Sequence, residues 1–179
     1  YVKDKDDNDV VLCSTASKFN AVAEITLDLN SGITEAKLIT DIKEDDEEVL
    51  ELANDITEQF EDLLNEVVAF SEFDLIVNDP KDEEHRLIRK QETNLGDFCA
   101  DAYRIVMDAD VAFINGGGIR GSIEAGEVTY GDVINIHPFG NSMCVVEATG
   151  QEIMDALEMA YRTVGEGENG GFLHVSGLS

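Results

Sequence analysis

The stretch Asn115-Gly116-Gly117-Gly118-Ile119-Arg120 directly follows residues 110–114, a short apolar run that predicts a buried strand. Consecutive glycines let a backbone approach a ligand closely and turn its N–H groups outward, a geometry that suits anions. Arg120 adds a planar guanidinium that matches phosphate or carboxylate. The spacing fits neither a GxxxxGK[ST] phosphate loop nor a GxGxxG dinucleotide loop. The stretch therefore predicts an anion site, with a tight turn and a solvated arginine as the alternative.

Upstream of this stretch, residues 84–90 form the only basic cluster of the chain, just before a predicted helix. Their side chains would either extend the anion site or balance nearby acids in a solvated linker. The helix is predicted over residues 94–107, capped by Asn94 with an acid three residues later. Its predicted inward stripe is Leu95, Phe98, Cys99, Ala102, Ile105 and Val106.

Downstream, residues 137–141 form a loop that contains proline, glycine and one aromatic side chain, Phe139. An exposed aromatic ring in such a loop would stack on a planar base. The alternative is a core phenylalanine at the start of a strand.

The rest of the C-terminal half alternates predicted helices and strands, which indicates an α/β fold. The signals are a helix start at Thr129 and Asp132, a strand over residues 143–148, a Thr149–Glu152 capping box for a helix to about residue 164, a glycine-rich loop over 165–171, and a strand over 172–175. Because the sequence stops shortly after a new strand, truncation is expected.

The N-terminal half predicts a frayed polar end and a β-hairpin. Residues 1–9 are almost all polar. Residues 20–29 alternate apolar and polar side chains, which predicts a half-buried strand. Residues 30–32, Asn-Ser-Gly, are types that favour a turn, so residues 33–40 are predicted to form a second strand that pairs with the first.

A long acidic helix is predicted over residues 44–68, because apolar residues recur at spacings of three and four. This helix is interpreted either as a connector between two modules or as an edge helix of one domain. A short strand is predicted after it, over residues 73–77, followed by a polar loop to residue 84.

Charge and length exclude several classes of protein. The 179 residues carry 39 acidic and 12 basic side chains, a formal net charge of −27, and 43% are hydrophobic. This hydrophobic content argues against a disordered acidic tail, and the charge argues against a protein that coats nucleic acid or an anionic membrane. No apolar run reaches the ~18 residues of a membrane span. The acidity indicates a solvated surface or, less favoured, a salt-adapted source.

Cysteine and histidine patterns give little support to other chemistry. Cys13, Cys99 and Cys144 are odd in number and far apart, which predicts buried free thiols. The three histidines lack metal-ligand spacing, and no GxSxG nucleophile elbow is present.

Five motifs in order resemble the C-terminal domain of 5′-nucleotidases and UDP-sugar hydrolases. They are Glu92-Thr-Asn-Leu-Gly-Asp97, Asn115-Gly-Gly-Gly-Ile-Arg120, Pro138-Phe-Gly-Asn141, Thr149-Gly150, and Gly171-Phe-Leu-His-Val-Ser-Gly177. The resemblance covers residues 86–179. It implies a layered mixed-sheet α/β domain, preceded here by the β-hairpin and the connector helix.

The resemblance also implies a role for individual residues. Arg89 and Arg120 match phosphate-binding arginines, and Asn115 matches a substrate contact. Gly117 and Gly118 belong to the same substrate-binding motif. Phe139 matches the first of two aromatics that sandwich a nucleobase. The second aromatic lies, in the family, beyond residue 179.

For the whole protein, the resemblance implies a hydrolase that removes phosphate from nucleotides. Two divalent metal ions and a His–Asp pair act in a separate N-terminal domain, whose motifs this sequence lacks, so no metal and no catalytic residue is predicted here and the chain alone is expected to be inactive. A 2′,3′-cyclic-nucleotide phosphodiesterase, a UDP-sugar hydrolase and a non-catalytic nucleotide-binding module are the alternatives. An extracellular, periplasmic or cell-wall location is implied by resemblance only.

The expected organisation has three parts: the tail of a metallophosphatase domain over residues 1–43, the acidic connector helix over 44–70, and an incomplete 5′-nucleotidase C-terminal domain over 71–179. Truncation of a sheet leaves an open strand edge, which predicts pairing or swapping between chains.

Overall fold

The computed structural model describes residues 1–14, 21–81 and 85–178, so the predictions for residue 20 and for residues 82–84 lie outside the described part. The chain divides into two compact units, residues 1–57 and 58–179. Each strand pair that the described residues form is antiparallel and two-stranded. None of the described helices combines the length and apolar character needed to cross a bilayer.

The N-terminal end of the first unit is a small strand pair, so the prediction of a frayed end is wrong. Strand β1, Val2–Lys3, pairs with β2, Asp9–Val10. The turn between them closes on Asp4, whose carboxylate accepts the backbone N–H groups of Asp6 at 2.8 Å and Asn8 at 2.9 Å. Aspartate side chains stabilise turns in this way, which lets a polar segment adopt a defined conformation.

The predicted β-hairpin is confirmed. Strand β3, Val22–Asp28, pairs with β4, Gly32–Ile39, and the Asp28 carboxylate accepts the N–H groups of Asn30 and Ser31 in the turn. The predicted burial of one face is wrong, since Ile25 is 43% exposed and Leu27 58%. A two-stranded ribbon needs a second layer to cover its apolar face, and the described residues do not cover these side chains.

Helix α1, Glu47–Leu64, is shorter than predicted at both ends and has no buried residue. Residues 67 and 68 belong instead to strand β5, Val67–Ser71, as their β-branched side chains favour. The strand predicted over residues 73–77 is wrong, because that segment makes only one isolated bridge, between Leu75 and Ile123.

The second unit brings helices and strands together around one core. Strand β5 pairs with β7, Gly126–Thr129, and β6, Ala112–Asn115, pairs with β8, Leu173–Ser176. The helices are α2, Asn94–Val106, α3, Tyr130–Ile136, and α4, Gly150–Tyr161. Short 3₁₀ turns occupy Leu87–Arg89 and Gly116–Gly118. The core cluster contains Leu75, Val77, Ile88, Leu95, Cys99, Ala100, Ile114, Ile119, Ile123, Val128 and Ile136.

Helix α2 begins as predicted but is capped and oriented differently. Thr93, not Asn94, is the cap, and its hydroxyl accepts the N–H of Gly96. The side chain of Asn94 instead bonds to a segment about twenty residues earlier: its Oδ1 accepts the N–H of Ile76 at 3.0 Å, and its Nδ2 donates to the carbonyl of Asp74 at 2.8 Å. The buried face is Leu95, Gly96, Cys99 and Ala100, whereas Phe98, Ile105 and Val106 of the predicted stripe are more than half exposed.

Residues 143–148 do not form the predicted strand. Within the described part of the chain, residues 138–148 make no backbone–backbone hydrogen bond. Together with β6, residues 139–148 line a cavity of about 950 Å³. A strand requires a hydrogen-bonded partner, and this segment has none among the described residues. Pairing of strand edges between chains stays a prediction.

All three cysteines are free, as predicted, but only Cys99 is buried. Cys13 and Cys144 are exposed, so the prediction of burial is wrong for both. Cys13 follows the β1–β2 pair, and Cys144 lies in the unpaired segment, where neighbouring structure does not cover it.

Candidate functional site

The glycine loop packs directly against the turn that carries the basic cluster. The N–H of Gly116 donates to Phe172 at 2.8 Å, and the N–H of Gly117 donates to Gly170 at 2.9 Å. These two amides therefore face the protein rather than a ligand, contrary to the sequence prediction. A Cβ on Gly116 would lie 1.9 Å from the carbonyl oxygen of Ile88. The glycines are needed here for the close approach of two backbones.

The arginine-bearing turn is held from several sides. Ile88 at its centre is fully buried, and its N–H donates to the carbonyl of Val77 at 3.1 Å. The Ile88 carbonyl accepts a hydrogen bond from Nε2 of the buried His174 at 2.9 Å. Burial lowers the pKa of His174, and the bond to Ile88 opposes this effect. The turn thus fixes the backbone of Arg89 beside the glycine loop.

Three arginines converge where the turn meets the loop. Nη2 of Arg86 donates to the carbonyl of Ile119 at 2.9 Å, and Nη1 of Arg120 donates to the carbonyl of Gly117 at 3.3 Å. The Nε atoms of Arg86 and Arg89 are buried without a hydrogen-bond partner among the described residues. We refer to Arg86, Arg89 and Arg120 as the arginine cluster.

The arginine cluster concentrates three positive charges that form no ion pair with neighbouring side chains in the described residues. Burial lowers the pKa of Arg86, and the positive charges of Arg89 and Arg120 lower it further. Of the ion pairs formed within residues 1–14, 21–81 and 85–178, none involves an arginine. Guanidinium groups in this state bind oxyanions through short, charge-assisted hydrogen bonds.

Arg86 is a candidate site residue that the sequence reasoning did not single out. It lies within the basic segment, three residues before Arg89, and the intervening backbone forms a 3₁₀ turn. Arg86 precedes this turn with extended backbone, and its carbonyl accepts the N–H of Arg89 at 3.1 Å. That spacing is the signal that links Arg86 to Arg89.

Phe139 lies beside the arginine cluster with its side chain 58% exposed. The guanidinium carbon of Arg120 is 5.6 Å from the centre of the Phe139 ring, within the range of a cation–π contact. The alternative of a core phenylalanine is therefore wrong. The preceding His137 is anchored inward, with Nε2 3.6 Å from the thiol sulfur of Cys99, and burial lowers its pKa.

Asn115 connects the glycine loop to the loop before β8, because its Nδ2 donates to the carbonyl of Gly170 at 2.9 Å. Its side chain also lies against Gly118, where a Cβ would be 3.2 Å from the Asn115 Oδ1. The six residues predicted from the sequence thus lie in one neighbourhood. Their roles in binding substrate stay predictions.

The described residues do not fit a metal centre. No group of three or more His, Cys, Asp or Glu side chains in residues 1–14, 21–81 and 85–178 is arranged to hold a metal ion. We therefore derive no metal-dependent step on this part of the chain.

Comparison with known proteins establishes the family of the chain. The family model described as "5'-nucleotidase, C-terminal domain" matches residues 67–179, well over half of the chain. The chain belongs to the 5′-nucleotidase family. The match begins at the first residue of β5, upstream of the motifs that carried the resemblance.

Among curated relatives, the chain is 39% identical over 126 residues to the trifunctional nucleotide phosphoesterase protein YfkN of Bacillus subtilis, covering 67% of this chain and 8% of that protein. It is 34% identical over 149 residues to a 5′-nucleotidase of Vibrio parahaemolyticus, covering 83% of this chain and 25% of that protein. The chain therefore spans a quarter or less of the length of these two relatives.

A solved structure supports the fold. The crystal structure of a 5′-nucleotidase precursor from Thermus thermophilus matches 98% of this chain and 35% of that one, with a TM-score of 0.69 and 27% identity. The predicted α/β fold of the 5′-nucleotidase C-terminal type is thereby confirmed.

Proposed function

We propose that this chain is the substrate-binding part of a phosphohydrolase that removes phosphate from nucleotides. The observation that carries the proposal is the arginine cluster, which brings three guanidiniums to one glycine loop in a chain with only 12 basic residues. A phosphate monoester carries two negative charges near neutral pH. A concentration of positive charge on an otherwise acidic protein attracts such a ligand to this place.

In this proposal, the arginine cluster binds the phosphate and Phe139 binds the base. Arg89 and Arg120 donate to the phosphate oxygens, and Arg86 adds positive charge behind them. The exposed ring of Phe139, held beside Arg120, offers a flat apolar surface to a nucleobase. Asn115, Gly117 and Gly118 shape the backbone between the two subsites.

Hydrolysis itself is assigned to a different part of the whole protein. We propose that residues 1–43 end a metallophosphatase domain whose two divalent metal ions supply the attacking hydroxide, and that residues 44–70 connect it to the binding domain over residues 71–179. Positioning the phosphate for attack is then the contribution of the arginine cluster. An extracellular or cell-envelope location accords with the description of the Thermus relative as a precursor.

Calorimetric titration of the whole protein with AMP tests the proposal. We expect Arg120→Ala and Arg89→Ala each to weaken binding by about 10- to 100-fold, since charge-assisted hydrogen bonds contribute about 1.5–3 kcal/mol each. Phe139→Ala should weaken AMP binding but leave inorganic phosphate binding nearly unchanged. Arg162→Ala is the matched control, because Arg162 follows the end of α4 and, within the described part of the chain, its side chain donates to the carbonyl of Met159 in the same helix.

Unchanged AMP affinity in both Arg89→Ala and Arg120→Ala would refute this binding site. The alternatives within the family are separated by the substrate profile: the whole protein is assayed with AMP, 2′,3′-cyclic AMP and UDP-glucose. If it binds AMP but turns over none of the three, the chain is a non-catalytic nucleotide-binding module.

A further inference from the structure

The glycine-rich loop over residues 165–171 contacts both halves of the arginine site. Its Asn169 donates its N–H to the backbone carbonyl of Arg89 at 2.9 Å. Its Gly170 carbonyl accepts the N–H of Gly117 and the side-chain amide of Asn115, each at 2.9 Å. The backbone that carries Arg89 and the glycine loop that ends in Arg120 are therefore held by one segment.

The same loop brings a carboxylate to the cluster. Oε1 of Glu168 accepts the backbone N–H of Arg86 at 2.8 Å, a contact between residues 82 positions apart in sequence. This bond holds the carboxylate at the edge of the site although the side chain is exposed. The charge of Glu168 raises the pKa of Arg86, opposite to the effect of the other two arginines.

We propose that Glu168 is the resident counter-charge of the arginine cluster and sets its affinity for anionic ligands. This inference rests on the proposed function, since it concerns the same site. The carboxylate offsets repulsion among the three guanidiniums while no ligand is bound. It then opposes each anion that binds, in proportion to the charge of that anion, and so favours release of a product phosphate.

The proportionality to charge separates this role from a purely structural one. Coulomb energy is linear in the charge of the ligand, so removing one fixed negative charge changes the logarithm of the affinity twice as much for a dianion as for a monoanion. Loss of a structural support would weaken both ligands by similar factors. Glu168→Gln keeps an oxygen that can accept the Arg86 N–H and removes only the charge.

The experiment measures the affinity of the whole protein for sulfate, a dianion, and dimethyl phosphate, a monoanion, by calorimetry at low ionic strength, where screening is weak. We expect Glu168→Gln to bind dimethyl phosphate about threefold and sulfate about tenfold more tightly, the size typical of one interaction between exposed charges. Glu166→Gln is the matched control, because Glu166 belongs to the same loop and is exposed. We expect the affinities of this variant for sulfate and dimethyl phosphate to stay within about twofold of those of the unmodified protein.

Arg120→Ala, measured in parallel, separates the two proposals. If it weakens sulfate binding while Glu168→Gln leaves both affinities unchanged or changes them by the same factor, the role of Glu168 is wrong and the anion site stands. An equal gain in Glu166→Gln also overturns it, because net charge alone then explains the effect. If Arg120→Ala leaves sulfate binding unchanged, both proposals fail.

Discussion

Replacing Gly116 by alanine perturbs the closest backbone contact of the candidate site. The new Cβ would lie 1.9 Å from the Ile88 carbonyl oxygen, 1.5 Å short of the 3.4 Å at which ordinary contact begins. The obstacle is backbone, so no side-chain rotation relieves it. The displaced carbonyl also accepts the hydrogen bond of the buried His174, and the turn that must move continues into Arg89.

We expect the free energy of unfolding to fall by about 2–6 kcal/mol. Leaving the buried Nε2–H of His174 without its acceptor costs about 1–3 kcal/mol, and overpacking costs a similar amount where the site relaxes only partly. Where groups must be held in position, a displacement of about 1 Å can cost about 100-fold. Moving the turn would displace Arg89 by at least about this distance. We therefore expect AMP affinity to fall at least tenfold even under conditions where the variant is folded. Urea unfolding and calorimetry measure the two effects.

Gly150→Ala is the matched control for this substitution. A Cβ at Gly150 meets no atom within 4 Å, and its φ lies outside the left-handed region, so alanine at the first position of α4 should change stability by less than about 0.5 kcal/mol. If Gly116→Ala unfolds at the same urea concentration as Gly150→Ala and binds AMP normally, the close packing of loop on turn does not hold the site together.

Three further predictions concern other parts of the molecule. Burial, together with the nearby charge of Glu92, raises the pKa of Asp97 from 3.8 to about 6. The ionised carboxylate therefore destabilises the folded state above pH 6, so Asp97→Asn should raise the urea midpoint at pH 7.5 and lose that advantage near pH 4. A thiol reagent should label the exposed Cys144 in the folded protein but not the buried Cys99. Burial also raises the pKa of the Cys99 thiol to about 12, which keeps it protonated and unreactive. Labelling of both cysteines at equal rates would contradict the fold. Hydrogen exchange should be fast over residues 141–148 and slow in the middle of α2, and strong protection of residues 141–148 would show that a partner pairs with them.

Elements with local start signals were predictable from the sequence. Both capping boxes form, with Thr129 accepting from the N–H of Asp132 and Thr149 from that of Glu152, and the helices α3 and α4 begin where predicted. The hydrogen bonds of each capping box join residues only three positions apart. The turn after β3 is equally local, because the Asp28 carboxylate accepts the N–H groups of Asn30 and Ser31, two and three residues later.

Elements that depend on distant partners were predicted less well. Residues 143–148 have a strand-like composition, but the described chain offers them no neighbour to pair with. Residue 94 is a good helix cap by type, yet its side chain bonds to residues 74 and 76 and leaves the cap to Thr93. The N-terminal strand pair depends on Asp4 closing a turn, which polar composition does not reveal.

Five short motifs in a fixed order are enough to identify the family from the amino-acid sequence, and they mark Arg89, Arg120 and Phe139 as candidate site residues. The positions of Arg86 in the cluster and of Glu168 beside it become visible only in the folded chain. Residues 86 and 168 meet through a bond across 82 positions of chain. The reason is physical: motifs are read from neighbours along the backbone, whereas the electric field at a site is the sum over charges near in space, wherever they lie in sequence.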